Sequence, residues 1–90
     1  MQDHSDKQQF ERIEQGALVY ARYRRDGDRL IIRHVEADPV LRGTGAADRL
    51  MRDIADHARS ENLLIVPLCG YASAWLRRHA REMIANPSAP

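Results

Sequence analysis

From Ala17 to Arg24 the chain alternates: Ala17, Val19, Ala21 and Tyr23 fall on one side of an extended backbone, Leu18 and Tyr20 on the other. That period of two predicts a strand. A second run, Arg29 to Val35, repeats the pattern, with Leu30, Ile32 and His34 alternating with Ile31, Arg33 and Val35. Asp26-Gly27 between the two runs is a strong hairpin signal. Upstream, Phe10 and Ile13 mark a shorter strand whose uneven spacing predicts a bulge, and Gln15-Gly16 supplies a turn. Pro39 cannot donate to a sheet ladder, so the third strand ends near Asp38.

After Gly45 the period lengthens. Ala46, Ala47, Leu50, Met51, Ile54, Ala55 and Ala58 recur on one face of a helix running from about Gly45 to Ser60. Its outer face sets Asp48/Arg52, Arg49/Asp53 and Arg52/Asp56 at four-residue spacing, with His57 facing solvent on that charged side. Glu61-Asn62 stops the helix. Leu63-Leu64-Ile65-Val66 is a continuous apolar run, the pattern of a strand buried on both faces. Strand, helix and strand in that order imply parallel pairing through a right-handed crossover. Pro67 closes this strand, and Tyr71, Ala72, Trp75, Leu76, His79 and Met83 share one face of a second helix. The fold class is α+β: a mixed twisted sheet with an antiparallel three-strand meander, then a helix, a parallel strand and a helix. Residues 1–8 are polar and aperiodic and read as a flexible N-terminus, 9–84 as one domain, and 85–90 as a flexible tail.

Ninety residues leave room for one small core. A hydrophobic content of 43% with 30% charged residues places the chain among soluble globular proteins. A net charge of +1, with the signs interspersed, gives no case for nucleic acid or an acidic membrane as partner. Arg22, Arg24, Arg25 and Arg33 read as solvated sheet-face and turn residues, because no aromatic run accompanies them. The single cysteine excludes an internal disulfide framework, and without a Cys/His cluster it excludes a structural zinc site. One thiol and no signal-type segment fit a cytoplasmic protein. No apolar run is long enough to cross a bilayer.

The chemistry gathers where strand gives way to helix. Arg42-Gly43-Thr44-Gly45-Ala46-Ala47 is a glycine turn feeding a helix, which presents unpaired N–H groups and the positive end of the helix dipole to an anion. Arg42 adds a permanent cation with a fork suited to phosphate. The same residues serve equally as a tight strand–helix connection with no ligand. Further on, Cys69 stands at the end of the parallel strand and before the second helix, a place where thiolate is stabilised. On position alone, a lone cysteine in an apolar segment reads as a small buried hydrophobe.

The order R-G-T-G-A-A resembles the pyrophosphate loop of the GCN5-related N-acetyltransferases, with Arg42, Gly45 and Ala47 at the matching places. H-V-E-A-D-P-V-L-R-G-T-G-A-A (His34 to Ala47) followed by V-P-L-C-G-Y-A-S-A-W-L-R-R-H (Val66 to His79) is similar to the small, cysteine-containing branch of that family, over roughly residues 10 to 83. The resemblance implies a minimal fold of that type binding acetyl-CoA, with an amine of unknown identity, macromolecules included, as acceptor. It implies that Arg42, Gly43, Thr44, Gly45 and Ala46 hold the pyrophosphate, while Val35 and Ala37 meet pantetheine through their backbones. Cys69 then faces the thioester as nucleophile, forming an acetyl-cysteine, and His34 orients or deprotonates that thiol. His34 reads equally as a strand histidine satisfied locally. Glu36 is an alternative base for the amine, and Tyr71 either protonates departing CoA or forms pocket wall. His79 is a structural residue two turns into its helix.

Two departures stand out. Val35 replaces a threonine usual after that histidine, and His79-Ala80-Arg81-Glu82 replaces the family's His-Pro-Glu-Tyr, which leaves the closing turn of the second helix undefined. Two functions follow: an acetyl-CoA-dependent N-acetyltransferase, or a CoA-binding or protein-interaction module without turnover. A dinucleotide site built on G-T-G ranks last, since the third glycine and the initial strand are missing.

Overall fold

The antiparallel meander expected from the alternation is the centre of the sheet, and the sheet is wider by one strand. The computed structural model describes residues 1–85. Strands β1 (Gln2–His4), β2 (Gln9–Glu14), β3 (Ala17–Asp26) and β4 (Arg29–Ala37) pair antiparallel in sequence order. Helix α1 (Ala46–Ser60) then crosses over to β5 (Leu64–Pro67), which pairs parallel with β4, and α2 (Gly70–His79) follows. β1 lies within the segment read as flexible. It pairs with β2, Asp3 opposite Phe10, with His4 Nε2 3.3 Å from Glu11 Oε1, and Tyr23 Oη donates to the Asp3 carboxylate from the third strand.

The β2–β3 register runs unbroken from Gln9↔Arg22 to Glu14↔Ala17, so the bulge expected in β2 is absent there. Phe10 is buried while Ile13, three residues on, stands 59% exposed on the other face. The irregularity lies instead between β3 and β4, where the register slips at Arg22/Tyr23 and Arg33 becomes the extra residue. One extra residue reverses every later side chain. Leu30 and Ile32 point into the core before the slip. Val35 and Ala37 pack against it after the slip, and His34 moves to the opposite face from Ile32.

Core side chains from one sheet face and both helices form a single cluster that includes Phe10, Val19, Ile32, Leu50, Ile54, Ile65 and Leu76. The other face carries Leu18, Tyr20, Leu64 and Val66 half-buried, so the apolar run of β5 is covered on one face and not on both. α1 ends in a 6→1 and 5→2 pair of backbone bonds, Leu63 N–H to Ala58 C=O at 2.8 Å and Asn62 N–H to Arg59 C=O at 3.2 Å. Asn62 takes the left-handed conformation that closes this motif (φ 56°). His57 is half-buried and turns its ring edge toward Phe10, 5.5 Å between centroids, instead of facing solvent. α2 stops at His79. Ala80 leads into a 3-10 turn over Arg81–Met83, and this supplies Met83 to the core. Ala85, expected in the tail, is buried and donates its N–H to Ile65 C=O at 2.7 Å, while 86–90 lie outside the described residues. Among the described residues no helix is long and apolar enough to cross a membrane.

Of the three expected helix-surface pairs, Asp48–Arg52 forms at 3.0 Å. Asp56 pairs with Arg59 instead of Arg52, at 3.1 Å, and Arg49/Asp53 gives way to ties between helix and sheet. Arg49 donates through Nε (2.9 Å) and Nη2 (2.7 Å) to the two oxygens of Glu14, and Arg12 bridges Glu14 and Asp53. The hydrogen bonds from Arg49, and after them Arg12, hold the Glu14 carboxyl down at about 2. A carboxyl whose pKa falls on folding stabilises the fold above its ordinary value, and that contribution is lost as pH drops toward the folded value. Glu14→Gln is therefore expected to lower the urea midpoint at neutral pH. The gap to the parent chain should close as pH falls from 4.5 toward 2, followed by far-UV circular dichroism.

Candidate functional site

β5 pairs along its whole length, but only with the first half of β4. Their register ends at Ile32↔Pro67, and the last bond joins Leu68 N–H to Ile32 C=O at 2.9 Å. Beyond that point β4 continues to Ala37 while the other chain turns into α2, so the two strands part and leave a gap. Asp38 N–H donates to Leu18 C=O at 2.9 Å, which in this register turns the backbone groups of His34 and Glu36 toward β3. Those of Val35 and Ala37 face the gap. A second effect of the bulge is therefore to put Val35 and Ala37, and not His34 and Glu36, on the edge that β5 leaves free.

The loop after β4 is shaped by local bonds. Asp38 caps a 3-10 turn over Pro39–Leu41 by accepting from Val40 N–H at 3.0 Å. Thr44 directs both its N–H (3.1 Å) and its hydroxyl (2.6 Å) to Leu41 C=O, so it closes the turn and offers no donor outward. Gly43 and Gly45 are left-handed, at φ 78° and 86°. The first intrahelical bond of α1 runs from Arg49 N–H to Gly45 C=O at 3.0 Å. The N–H groups of Gly43, Gly45, Ala46, Ala47 and Asp48 have no acceptor among the described residues. Arg42 is exposed beside them, with no ion pair among the described residues. A cavity of about 270 Å³ opens here, lined by Ala37, Arg42, Gly43, Gly45, Asp48 and Tyr71 among others. Donors without acceptors, an unneutralised guanidinium and a free strand edge fit a diphosphate with an extended amide chain attached to it.

Arg49 builds this loop, although helical spacing predicts for it only a surface pair with Asp53. Helical side chains lean toward the N-terminus, so a long cation one turn past Gly45 lies back over the loop. Its Nη2 donates to Thr44 C=O at 2.9 Å while Glu14 holds the rest of the fork. A Cβ on Gly45 would lie 3.0 Å from Arg49 Nη1. Asp48 is a second unforeseen part. Trp75 Nε1 donates to it at 2.7 Å and Arg52 Nε at 3.0 Å, which ties the start of α1 to the middle of α2 and holds the Asp48 carboxyl below its ordinary range.

Cys69 is the N-cap of α2, half-buried against the core, and accepts the helix's first bond from Ser73 N–H at 3.0 Å through its carbonyl. Its thiol therefore sits at a helix start whose next N–H groups have no intrahelical partner. No hydrogen bond links it to His34 among the described residues. His34 Nε2 lies 3.5 Å from Glu36 Oε1 on the uncovered face, and Tyr20 Oη donates to the other Glu36 oxygen at 3.0 Å. That bond raises the Tyr20 phenol above its ordinary value, and burial adds to the rise. Burial also raises the Tyr71 phenol, with the charge of Asp48 contributing. Tyr71 is 43% exposed on the wall of the loop cavity, and His79 is exposed beside the Trp75 ring, 4.8 Å between centroids.

A family model described as GCN5-related N-acetyl-transferase matches residues 9–85. A comparison with curated proteins finds no match.

Proposed function

Because the chain belongs to the GCN5-related N-acetyltransferases, we propose that it moves the acetyl group of acetyl-CoA to an amine, with Cys69 as the acetyl carrier. The observation that carries this reading is continuity. The free donors of Gly43–Asp48 beside Arg42 lead to the open edge of Val35 and Ala37, and that edge leads to the end of the gap where Cys69 caps α2. Arg42 and the backbone of Gly43, Gly45 and Ala46 bind the diphosphate. Val35 and Ala37 pair with the pantetheine amides as a missing strand would. Acetyl-CoA supplies an activated acyl thioester.

The Cys69 thiolate attacks the thioester carbonyl, and the C–S bond to CoA breaks as Tyr71 gives its proton to the departing sulfur. The phenol carries its proton at neutral pH, and its raised pKa makes it take a proton back from solvent once the sulfur has left. The amine then attacks the acetyl group on Cys69. An amide forms, the thiolate returns to Cys69, and the amine's proton passes to the Glu36–His34 pair on the uncovered face. His34 thus serves the acceptor and not the thiol.

Calorimetry with CoA tests the binding half. Arg42→Ala is expected to weaken binding about tenfold, the scale of one charge-assisted contact to phosphate. No heat with the parent chain would overturn the reading. A CoA-binding module without turnover is the second reading, favoured by the sheet face that no helix covers among the described residues. Retained CoA binding with no CoA release in the presence of amines and basic peptides would select it.

A further inference from the structure

The bulge at Arg33 also sorts charge on the sheet face that no helix covers among the described residues. There the β3–β4 register sets Tyr20 opposite Glu36, Arg22 opposite His34 and Arg24 opposite Ile31. Arg33, the extra residue, follows the core residue Ile32 and opens onto the same face. Arg22, Arg24 and Arg33 are exposed, and none forms a hydrogen bond or an ion pair among the described residues. Glu36 lies one rung away, its oxygens near Tyr20 Oη at 3.0 Å and His34 Nε2 at 3.5 Å. Arg25 is in the opposite phase, and Asp26 at the hairpin tip ends the cationic run. The face thus passes from one carboxylate to three uncommitted guanidiniums over two further rungs. Rungs on one face are about 7 Å apart, the spacing of alternate side chains in any extended chain.

We propose that this face docks an extended segment of an acceptor protein in which the reacting lysine has acidic residues at the alternate positions on one side of it. The lysine reaches Glu36, one acidic side chain meets Arg22 and Arg33, and the next meets Arg24. The lysine's place rests on the reading of Glu36 and His34 as the pair that takes the amine's proton, whereas the acidic contacts rest on the arginines alone. Single-stranded nucleic acid also seeks cations, but it is held by stacking on open aromatic rings as well. The Tyr20 ring has the Arg22 guanidinium over it at 5.6 Å, its hydroxyl is committed to Glu36, and that carboxylate repels a phosphate backbone. The alternation of charge favours a peptide.

Capped peptides with a single lysine test this. Two carry glutamates at the second and fourth positions, one set after the lysine and one before it; two controls carry alanines or arginines in those places. With acetyl-CoA and the parent chain, one acidic peptide is expected to show kcat/KM about tenfold above the alanine peptide, the product of exposed ion pairs worth about threefold each. The gain should lie in KM and shrink at high salt. The double variant Arg24→Glu with Arg33→Glu is expected to pass the preference to the arginine peptide, while its CoA affinity and its rate with the alanine peptide stay within about twofold of the parent. Equal use of acidic and alanine peptides, or a parent preference for the arginine peptide, would overturn the docking proposal and leave the acetyl-transfer reading standing. If no peptide is acetylated, fluorescence anisotropy of the labelled acidic peptides decides. Binding that the double variant loses keeps the docking surface and removes lysine transfer from it; no binding overturns the docking as well. A single-stranded RNA oligonucleotide held more tightly than either acidic peptide, and released by the same variant, would overturn it in favour of nucleic acid.

Discussion

Gly45→Val is expected to reduce CoA affinity about a hundredfold or more and to lower stability by about 1–3 kcal/mol. Two independent effects combine at this position. The backbone sits at φ 86°, where a β-branched residue is a steric outlier, and the space over Gly45 is filled by Arg49 Nη1, 3.0 Å from the nearest added carbon. Arg49 cannot simply swing aside, because Glu14 grips its fork at 2.7 and 2.9 Å and Thr44 C=O takes Nη2 at 2.9 Å. Valine therefore either pushes the guanidinium off Thr44 or straightens the loop, and in both cases the free N–H groups cease to converge. Each lost kcal/mol lowers the melting temperature of a chain this size by about 4–8 °C, so the stability part is measurable by thermal unfolding. Gly70→Ala is the contrast. Gly70 has no positive φ and nothing within 4 Å of an added Cβ, so its alanine variant should melt with the parent. Arg49→Ala separates the two effects further, leaving φ unstrained while weakening CoA about tenfold through loss of the Thr44 contact. A Gly45→Val chain that binds CoA like the parent would show that the loop does not hold the ligand.

The elements were legible wherever burial is periodic. The β3 alternation, the Asp26-Gly27 hairpin and the apolar stripe of α1 each follow from which atoms must leave water, and those residues are the core. β1 was hidden because an edge strand can be held by backbone pairing with no apolar side chain to announce it. The bulge at Arg33 was hidden for a related reason. A single extra residue leaves two locally sensible alternations, Leu30-Ile32 and Val35-Ala37, that differ in phase, and only the partner strand fixes where they join. β5 misled because its apolar run promises two covered faces, whereas the described chain covers one.

The candidate site divided along the same line. Arg42, Gly43, Gly45 and Cys69 could be picked out because their chemistry is local: a turn, a cation and a cap. Thr44 could not be judged in sequence, since whether its donors face a ligand or Leu41 depends on the 3-10 turn before it. His34 was given to the thiol by the resemblance, whereas its ring lies 3.5 Å from Glu36 on the uncovered face, to which the bulge at Arg33 turns both residues. Arg49, Asp48 and Trp75 act through contacts with Glu14, Thr44 and each other across 5 to 35 positions of sequence, beyond the reach of any helical spacing rule.

Cys69→Ala is expected to abolish covalent acetylation by acetyl-CoA and to slow transfer to an amine by about a thousandfold or more, the scale of removing a nucleophile. CoA affinity should stay within about twofold of the parent, because the diphosphate and pantetheine contacts assigned above come from the loop and from the β4 edge. The cavity left by one small half-buried side chain is slight, so folding is expected to survive. Intact-mass measurement after incubation with acetyl-CoA reads the adduct directly, and the competing route gives a different pattern. If the amine attacks the bound thioester without a carrier, the parent chain shows no adduct and Cys69→Ala retains most of its rate. The burden then shifts to Glu36, whose carboxylate with His34 at 3.5 Å is the base available on the uncovered face. Glu36→Gln tells the routes apart a second time. On the carrier route it leaves adduct formation intact and slows only its discharge to the amine, so acetyl-Cys69 accumulates. On the direct route it slows the whole reaction with no acetylated chain at any time.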